Sequence, residues 1–327
     1  MPLRERMRRR GVMAAAVATM VPCQPATAAV RRIGYLGISE PVISASALAA
    51  LREGLGESGH VEGRNLAIDY RWAEGRYERL AGLAAALVAG RVEVIVTTGS
   101  VGVAAAREAT STIPIVFFGG DVLGTGMVSS ISRPGGNLTG ISIFSRELNP
   151  KRLALLSELA PADGPLAVLV NPGMSNAEDT ARAMAETGRM LGRAVVLVRA
   201  GSLGEVAAAF GAAVGQGARG LLVASDPFFN SRRAEIVAMA AAHGMPAMYE
   251  WREFTDIGGL VSYGPSYTGT WRQVGVYAGR VLTGADPASL PIQQPARFEL
   301  VVNLVTAKAL GLAVAPAFLA RADEVIE

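Results

Sequence analysis

The sequence predicts an α/β protein: two doubly wound parallel-sheet lobes joined by a hinge that the chain crosses more than once. Three observations lead there. First, an order of short apolar runs and helical stretches occurs twice. The runs RIGYL (Arg32 to Leu36), NLAIDYR and VEVIVTTGS alternate with helical stretches, and from Leu166 the order returns as LAVLVNP, AVVLV and GLLVASDP. Apolar strands that alternate with amphipathic helices make parallel sheets covered on both faces. Second, these runs end in small or polar residues, Thr97-Thr98-Gly99-Ser100 in one copy and Ala224-Ser225-Asp226-Pro227 in the other. Ligands of such sheets bind beyond the carboxyl ends of the strands. Third, 327 residues, half of them hydrophobic and 18% charged, exceed one ordinary core and suit two lobes.

The elements follow from local pattern. Leu48, Leu51 and Leu55 space a buried helical face over Ser46 to Ser58, which Gly59 ends. Leu66, Ile68 and Tyr70 share one side of a strand over Asn65 to Arg71. Leu80, Leu83, Ala84, Leu87 and Val88 mark the next helix. Val94 to Thr97 is a buried strand, Val101 to Ala109 a helix, and Ile115 to Phe118 and Leu138 to Ile143 are strands. The first crossing is expected after the turn cluster Arg133-Pro134-Gly135-Gly136-Asn137. A helix around Leu153, Leu155, Leu156 and Leu159 opens the second copy, and Pro161 stops it. Its strands are Leu166–Val170, Ala194–Val198, Gly220–Ala224 and Pro246–Tyr249; its helices are Ala177–Leu191, Leu203–Val214 and Arg232–His243. Beyond Gly258-Gly259 come a strand (Leu260 to Tyr263), a helix (Tyr267 to Leu282), the extended connection Pro287 to Pro295, a last strand (Phe298 to Val302) and a short helix (Thr306 to Leu310). These extras suit a chain that returns to lobe one and crosses again. The expected division is 29–143 plus 259–288 for lobe one, and 144–258 plus 289–327 for lobe two.

Residues 1–28 read as a secretory signal: a basic start, the apolar run Gly11 to Val21, Pro22, then Ala26-Thr27-Ala28 as a small-x-small cleavage site. That apolar run is much shorter than the roughly 20 residues that span a bilayer. Arg4, Arg6, Arg8, Arg9 and Arg10 against Glu5 put +4 in this segment, against +3 for the whole chain, which leaves the remainder at −1. No basic footprint for nucleic acid is left. The one cysteine, Cys23, follows Pro22 rather than the small residue that precedes a lipidated cysteine, so a lipid anchor is not expected. Outside the leader, cysteine can supply no disulfide, thiol chemistry or metal ligand.

Candidate ligand contacts sit at strand ends, each with a plainer alternative. Thr98, Gly99 and Ser100 lead from a strand into a helix whose N–H groups and dipole suit a carboxylate; alternatively Ser100 is only a helix cap. Phe118-Gly119-Gly120-Asp121 ends the next strand, and Asp121 either pairs with a ligand ammonium or caps a turn. In lobe two, Asn171-Pro172, Ser225-Asp226-Pro227 and Tyr249-Glu250 occupy equivalent ends. Asp226 could instead cap the following helix, and Glu250 could be a hinge salt-bridge partner. Tyr249, Trp251, Phe254, Tyr263 and Tyr267 cluster in a chain that is only 6% aromatic, to stack on an aromatic ligand or to pack the hinge. Trp72 reads as core or rim.

Chemistry-bearing motifs are missing. His60 and His243 both read as structural. No His-Glu-x-x-His, Gly-x-Ser-x-Gly elbow, phosphate loop or clean Gly-x-Gly-x-x-Gly follows any strand. No catalytic residue, metal or cofactor is therefore assigned.

Longer strings carry a resemblance: LREGLGESGHVEGRNLAIDYRWAEGRYERLAGLAAALV, VIVTTGS, STIPIVF, SRPGGNLTGIS, KRLALLSELAP, REFTDIGGLVSYGP, QQPARFELVVNLVTAKALGL and the closing LARADEVIE. The chain from Arg32 to Glu327 resembles the ABC-transporter substrate-binding proteins that include tryptophan-binding proteins, with the type I periplasmic-binding fold. The resemblance implies an extracytoplasmic receptor, expected here to be a periplasmic monomer without nucleic-acid partners. It would close on a small, amino-acid-like molecule, aromatic ones included, and deliver it to an ABC permease at the inner membrane. By fold analogy the pocket would be lined by Ser39 in the loop after Leu36, Thr98, Gly99, Ser100, Phe118, Gly119, Asp121, Asn171, Asp226, Tyr249 and Glu250. Relatives often read Asp-Pro where this chain has Asp121-Val122. A sensor domain for a membrane receptor and, further off, a nucleotide-dependent enzyme are the alternative functions.

Overall fold

A computed structural model describes residues 30–41, 45–119, 122–143, 145–295 and 297–327. The expected leader with Cys23, and the expected ligand residue Asp121, lie outside the described residues. The first sheet holds β1 (Arg31–Gly37), β2 (Leu66–Trp72), β3 (Val94–Thr98), β4 (Ile115–Phe118) and β5 (Leu138–Ile141), in the order β2-β1-β3-β4-β5 and parallel throughout. Its strands are apolar on both sides because helices cover both. Ile33, Tyr35, Val94, Val96, Val116 and Phe118 face α1 (Ala45–Glu57), whereas Leu36, Ile95, Ile115 and Phe117 face α2 (Leu80–Ala89) and α3 (Gly99–Ala109).

The second sheet runs β12-β11-β10-β9-β8-β6-β7. Here β6 is Leu166–Val170, β7 Val195–Arg199, β8 Gly220–Val223, β9 Ala247–Tyr249, β10 Val261–Pro265, β11 Phe298–Asn303 and β12 Glu324–Ile326. All neighbours are parallel except β10 and β11. Between and around them lie α4 (Ser145–Leu159), α5 (Ala177–Met190), α6 (Leu203–Gly215), α7 (Pro227–Ser231), α8 (Arg233–Ala242) and α9 (Arg252–Thr255). After β10 come α10 (Tyr267–Leu282), α11 (Leu304–Ala309) and α12 (Pro316–Leu319). The repeat read in the sequence is this pair of doubly wound sheets.

The division after Gly258 is corrected. Residues 259–288 are expected in lobe one, yet β10 pairs with β9 and β11 in the second sheet. The return crossing is at Pro265-Ser266, and α10 then packs on α1 of the first lobe. Glycines permit that crossing: a Cβ on Gly54 would lie 1.9 Å from the Arg272 carbonyl, and one on Gly275 2.2 Å from that of Leu51. The Pro-rich connection also belongs to lobe one. Gln293 donates to Gly140 O and accepts from Ser142 N, and Ile292 N donates to Ile131 O, along the edge of β5. The third crossing therefore comes after Gln293, not at 289. A five-residue apolar strand does not reveal its partner, because both sheets offer an apolar edge.

Candidate functional site

The carboxyl ends of the strands of the two sheets face each other across a cleft of about 790 Å³, partly open to solvent. Ser39, Thr98, Gly99, Ser100, Phe118 and Gly119 line it from lobe one, and Asp226 and Glu250 from lobe two. Those eight sequence candidates are brought together. Asn171 stands behind Asp226 rather than in the lining. The lobes touch: Gly99 is so near Pro227 that a Cβ there would sit 3.0 Å from its Cγ, and Ser175 Oγ donates to Ser100 Oγ at 3.4 Å.

On the lobe-one side, β3 runs straight into α3. Gly99 takes φ +67°, the left-handed conformation that suits glycine, and starts the helix. Thr98, not Ser100, is the residue that precedes the first turn, and its side chain makes no cap bond. The capping alternative for Ser100 therefore fails; Ser100 lies inside the first turn, buried, on the cleft. The unsatisfied N–H groups and positive dipole end of this 11-residue helix point to the same place.

Asp226 does cap the following helix, as its alternative reading proposes, and it also lines the cleft. Its Oδ1 accepts from Phe229 N at 3.1 Å and from Asn171 Nδ2 at 3.2 Å, and its Oδ2 accepts from Tyr77 Oη at 2.9 Å. Asn171 is held in turn by Gly173 N, which donates to its Oδ1 at 2.9 Å. Burial pushes the Asp226 carboxyl up to about 6, against the opposing pull of these donors. Among the described residues no Lys or Arg pairs with it, so its negative charge is uncompensated by protein.

Glu250 is different. It pairs with Arg152 of α4, Nη2 to Oε1 at 3.3 Å. Arg152 is wholly buried and also donates to Tyr263 O (2.7 Å), Asn149 Oδ1 (2.8 Å) and Ser225 Oγ (2.8 Å). Burial still pushes the Glu250 carboxyl up, with Arg152 opposing. Charge in this half of the cleft is thus net negative, with Arg152 spent on Glu250.

The aromatics divide. Phe118 stacks on Trp271 (4.8 Å) and on Trp251 (5.7 Å), and Tyr267 meets Phe118 and Trp251 edge-on at 5.5 and 5.1 Å. Phe118, Trp251 and Tyr267 line the cleft, an apolar wall contributed by both lobes. Trp72 sits half-buried against Tyr35, at 5.0 Å between ring centres. Tyr249 is corrected. It is 1% exposed, lies outside the cleft lining and stacks on Phe254 at 4.5 Å. Strand alternation is the reason: Ala247 and Tyr249 point to the core face that α8 covers, while Glu250 lies past the strand end, where the cleft opens.

Sequence reasoning missed Tyr77, Asn149, Arg152, Met174, Asn176 and Asn230. For two of them a signal exists. Asn149 and Arg152 fall at helical spacing with Leu153 and Leu156 on the buried face of α4, where polar residues are out of place unless paired. Tyr77 has no local signal, since its partner is 149 positions away.

Comparison with known proteins gives a family and a shared fold. Residues 38–326 match the family described as ABC transporter substrate binding protein. A tyrosine-binding protein of Clostridioides difficile is 25% identical over 259 residues, covering 79% of this chain and 74% of that protein. A conserved domain protein from Vibrio cholerae has a TM-score of 0.83 at 26% identity, covering 90% of this chain and 99% of its own. A domain from Streptococcus pneumoniae in complex with L-Trp has a TM-score of 0.82 at 22% identity, with 90% and 99% covered.

Proposed function

We propose, for a chain that belongs to the ABC transporter substrate-binding protein family, that the inter-lobe cleft closes on a free amino acid with an aromatic side chain and presents it to the permease of its transporter. One observation carries the reading: within a single cleft an uncompensated carboxylate, Asp226, stands across from the N-terminus of α3. Opposite charges so arranged complement a zwitterion, the ammonium at Asp226 and the carboxylate at Gly99–Ser100. Phe118, Trp251 and Tyr267 then offer faces and edges to the side chain, each aromatic contact adding about 0.5–1.5 kcal/mol beyond burial. The names of the relatives, tyrosine-binding and bound to L-Trp, support the same class.

The reading includes export by the leader 1–28 to the periplasm, action as a monomer, and binding without turnover, the last supported by the family. Calorimetry with L-tryptophan, L-tyrosine, L-phenylalanine, L-leucine and tryptamine tests it. Aromatic L-amino acids should bind, and tryptamine, which lacks the carboxylate, should bind far more weakly. Ligand at 100 times its Kd should stabilise the protein by about 2.7 kcal/mol. Equal binding of tryptamine and tryptophan, or no binding of any of the five, would sink the assignment.

A further inference from the structure

Tyr77 belongs to lobe one, in the short turn Tyr77–Arg79 that precedes α2, yet its side chain ends in lobe two. Its hydroxyl donates to Asp226 Oδ2 at 2.9 Å and accepts from Asn171 Nδ2 at 3.4 Å. The ring edge lies against Gly173, where a Cβ would stand 3.2 Å from Tyr77 Cδ2. Asp226 thus draws donors from both lobes: Asn171 and the Phe228 and Phe229 N–H groups from its own, and Tyr77 from the other. The donors of its own lobe stay with it in any arrangement of the lobes. Tyr77 is present only when the lobes meet.

We propose that Tyr77 is a positioning residue for ligand capture, completing the donor shell of Asp226 on closure and so holding that carboxylate ionised and oriented toward the ligand ammonium. This rests on the reading of Asp226 as the ammonium partner. A buried carboxylate is costly unless donors surround it. In the open protein water completes the shell; in the closed one water is excluded and Tyr77 replaces it. Closure without Tyr77 would take from Oδ2 its side-chain donor at the moment the charge is needed. Ser100 and Ser175 touch across the same seam but involve no charge, and the Glu40–Arg232 pair (2.8 Å) lies further out, partly exposed. Besides Asp226, the ionisable groups that line the cleft among the described residues are Glu250, which Arg152 pairs, and the phenols of Tyr35 and Tyr267.

The test is Tyr77→Phe, which keeps the ring against Gly173 and removes only the hydroxyl. L-tryptophan affinity should fall about tenfold, mainly through faster release, as expected for loss of a hydrogen bond to a charged group. The pH below which binding fails should move up, because the ionised form of Asp226 has lost a donor. A merely structural role would weaken binding equally at all pH values, and unchanged affinity or an unmoved pH profile overturns the proposal. Failure of the amino-acid reading is distinguished with a closed lock. Ser100→Cys with Ser175→Cys places two thiols where hydroxyls are 3.4 Å apart, and mass spectrometry reports the disulfide. In the locked protein without ligand, carbon-13 titration of Asp226 should midpoint higher with Tyr77→Phe than without it. That shift upholds the contact even if no amino acid binds, and identical titrations refute it.

Discussion

Arg152→Met removes a completely buried cation while keeping an unbranched side chain of similar reach. Four acceptors each lose one donor at once: Tyr263 O, Asn149 Oδ1, Ser225 Oγ and Glu250 Oε1. Breaking a buried pair by removing one partner costs about 3–5 kcal/mol, since the other charge is left uncompensated. For a lobe of this size that lowers Tm by roughly 10 °C. The loss should depend on pH with a definite sign. Burial already holds the Glu250 carboxyl above its ordinary range, and Arg152 is the charge that opposes this. Without Arg152 the folded-state value rises further, so the variant binds a proton on folding. Stability from such a group is complete below the unfolded value of about 4.3 and is lost as pH climbs through the folded one. The deficit should be largest near pH 8 and shrink toward pH 5. Replacing both partners, Arg152→Met with Glu250→Met, should recover stability to within about 1–2 kcal/mol of the parent, because no charge is left stranded. Urea denaturation across pH reads all three proteins. A loss under about 1 kcal/mol, the same loss at pH 5 and 8, or a double variant no better than the single one would refute the reasoning.

Four further outcomes follow from the same geometry. Amino-acid binding should decline as pH falls through about 6, where Asp226 takes up a proton and loses its charge, and Asp226→Asn should bind weakly with no such dependence, as calorimetry at several pH values will show. The same raised value means that ionised Asp226 costs stability above that pH, so ligand-free Asp226→Asn should melt higher than the parent at pH 8. Gly99→Ala should fold but close poorly: φ +67° costs a side chain about 1–2 kcal/mol, and its Cβ would meet Pro227 Cγ at 3.0 Å, so scattering with saturating tryptophan should show a larger radius than the parent. Glu40→Gln, which breaks the partly exposed pair with Arg232, should change affinity by less than about 1 kcal/mol, and the difference should vanish in 1 M salt.

Much of the fold is legible because it is written in local period. The alternation of apolar runs with helical spacing predicts both sheets, and the ends of β3, β4, β8 and β9 mark the cleft, since side chains at strand ends leave the core in any parallel sheet. Seven candidate residues reach the lining on that argument, and Ser39 joins them through the resemblance. What failed depended on details that period does not encode. Tyr249 and Glu250 are adjacent, yet one step along the strand sends the first into the core and the second into the cleft. Strand β10 carries no mark of which sheet will pair it.

By itself, then, the order of residues determined two wound sheets and the strand ends on which a site could be built. Only the tertiary structure decided which polar groups meet: Arg152 with Glu250, and Tyr77 with Asp226 across the lobes. The physical reason is range. Secondary structure arises from neighbours a few positions apart, whereas the ionisation of a buried carboxylate is set by whatever packs around it, and those groups lie 98 and 149 positions away.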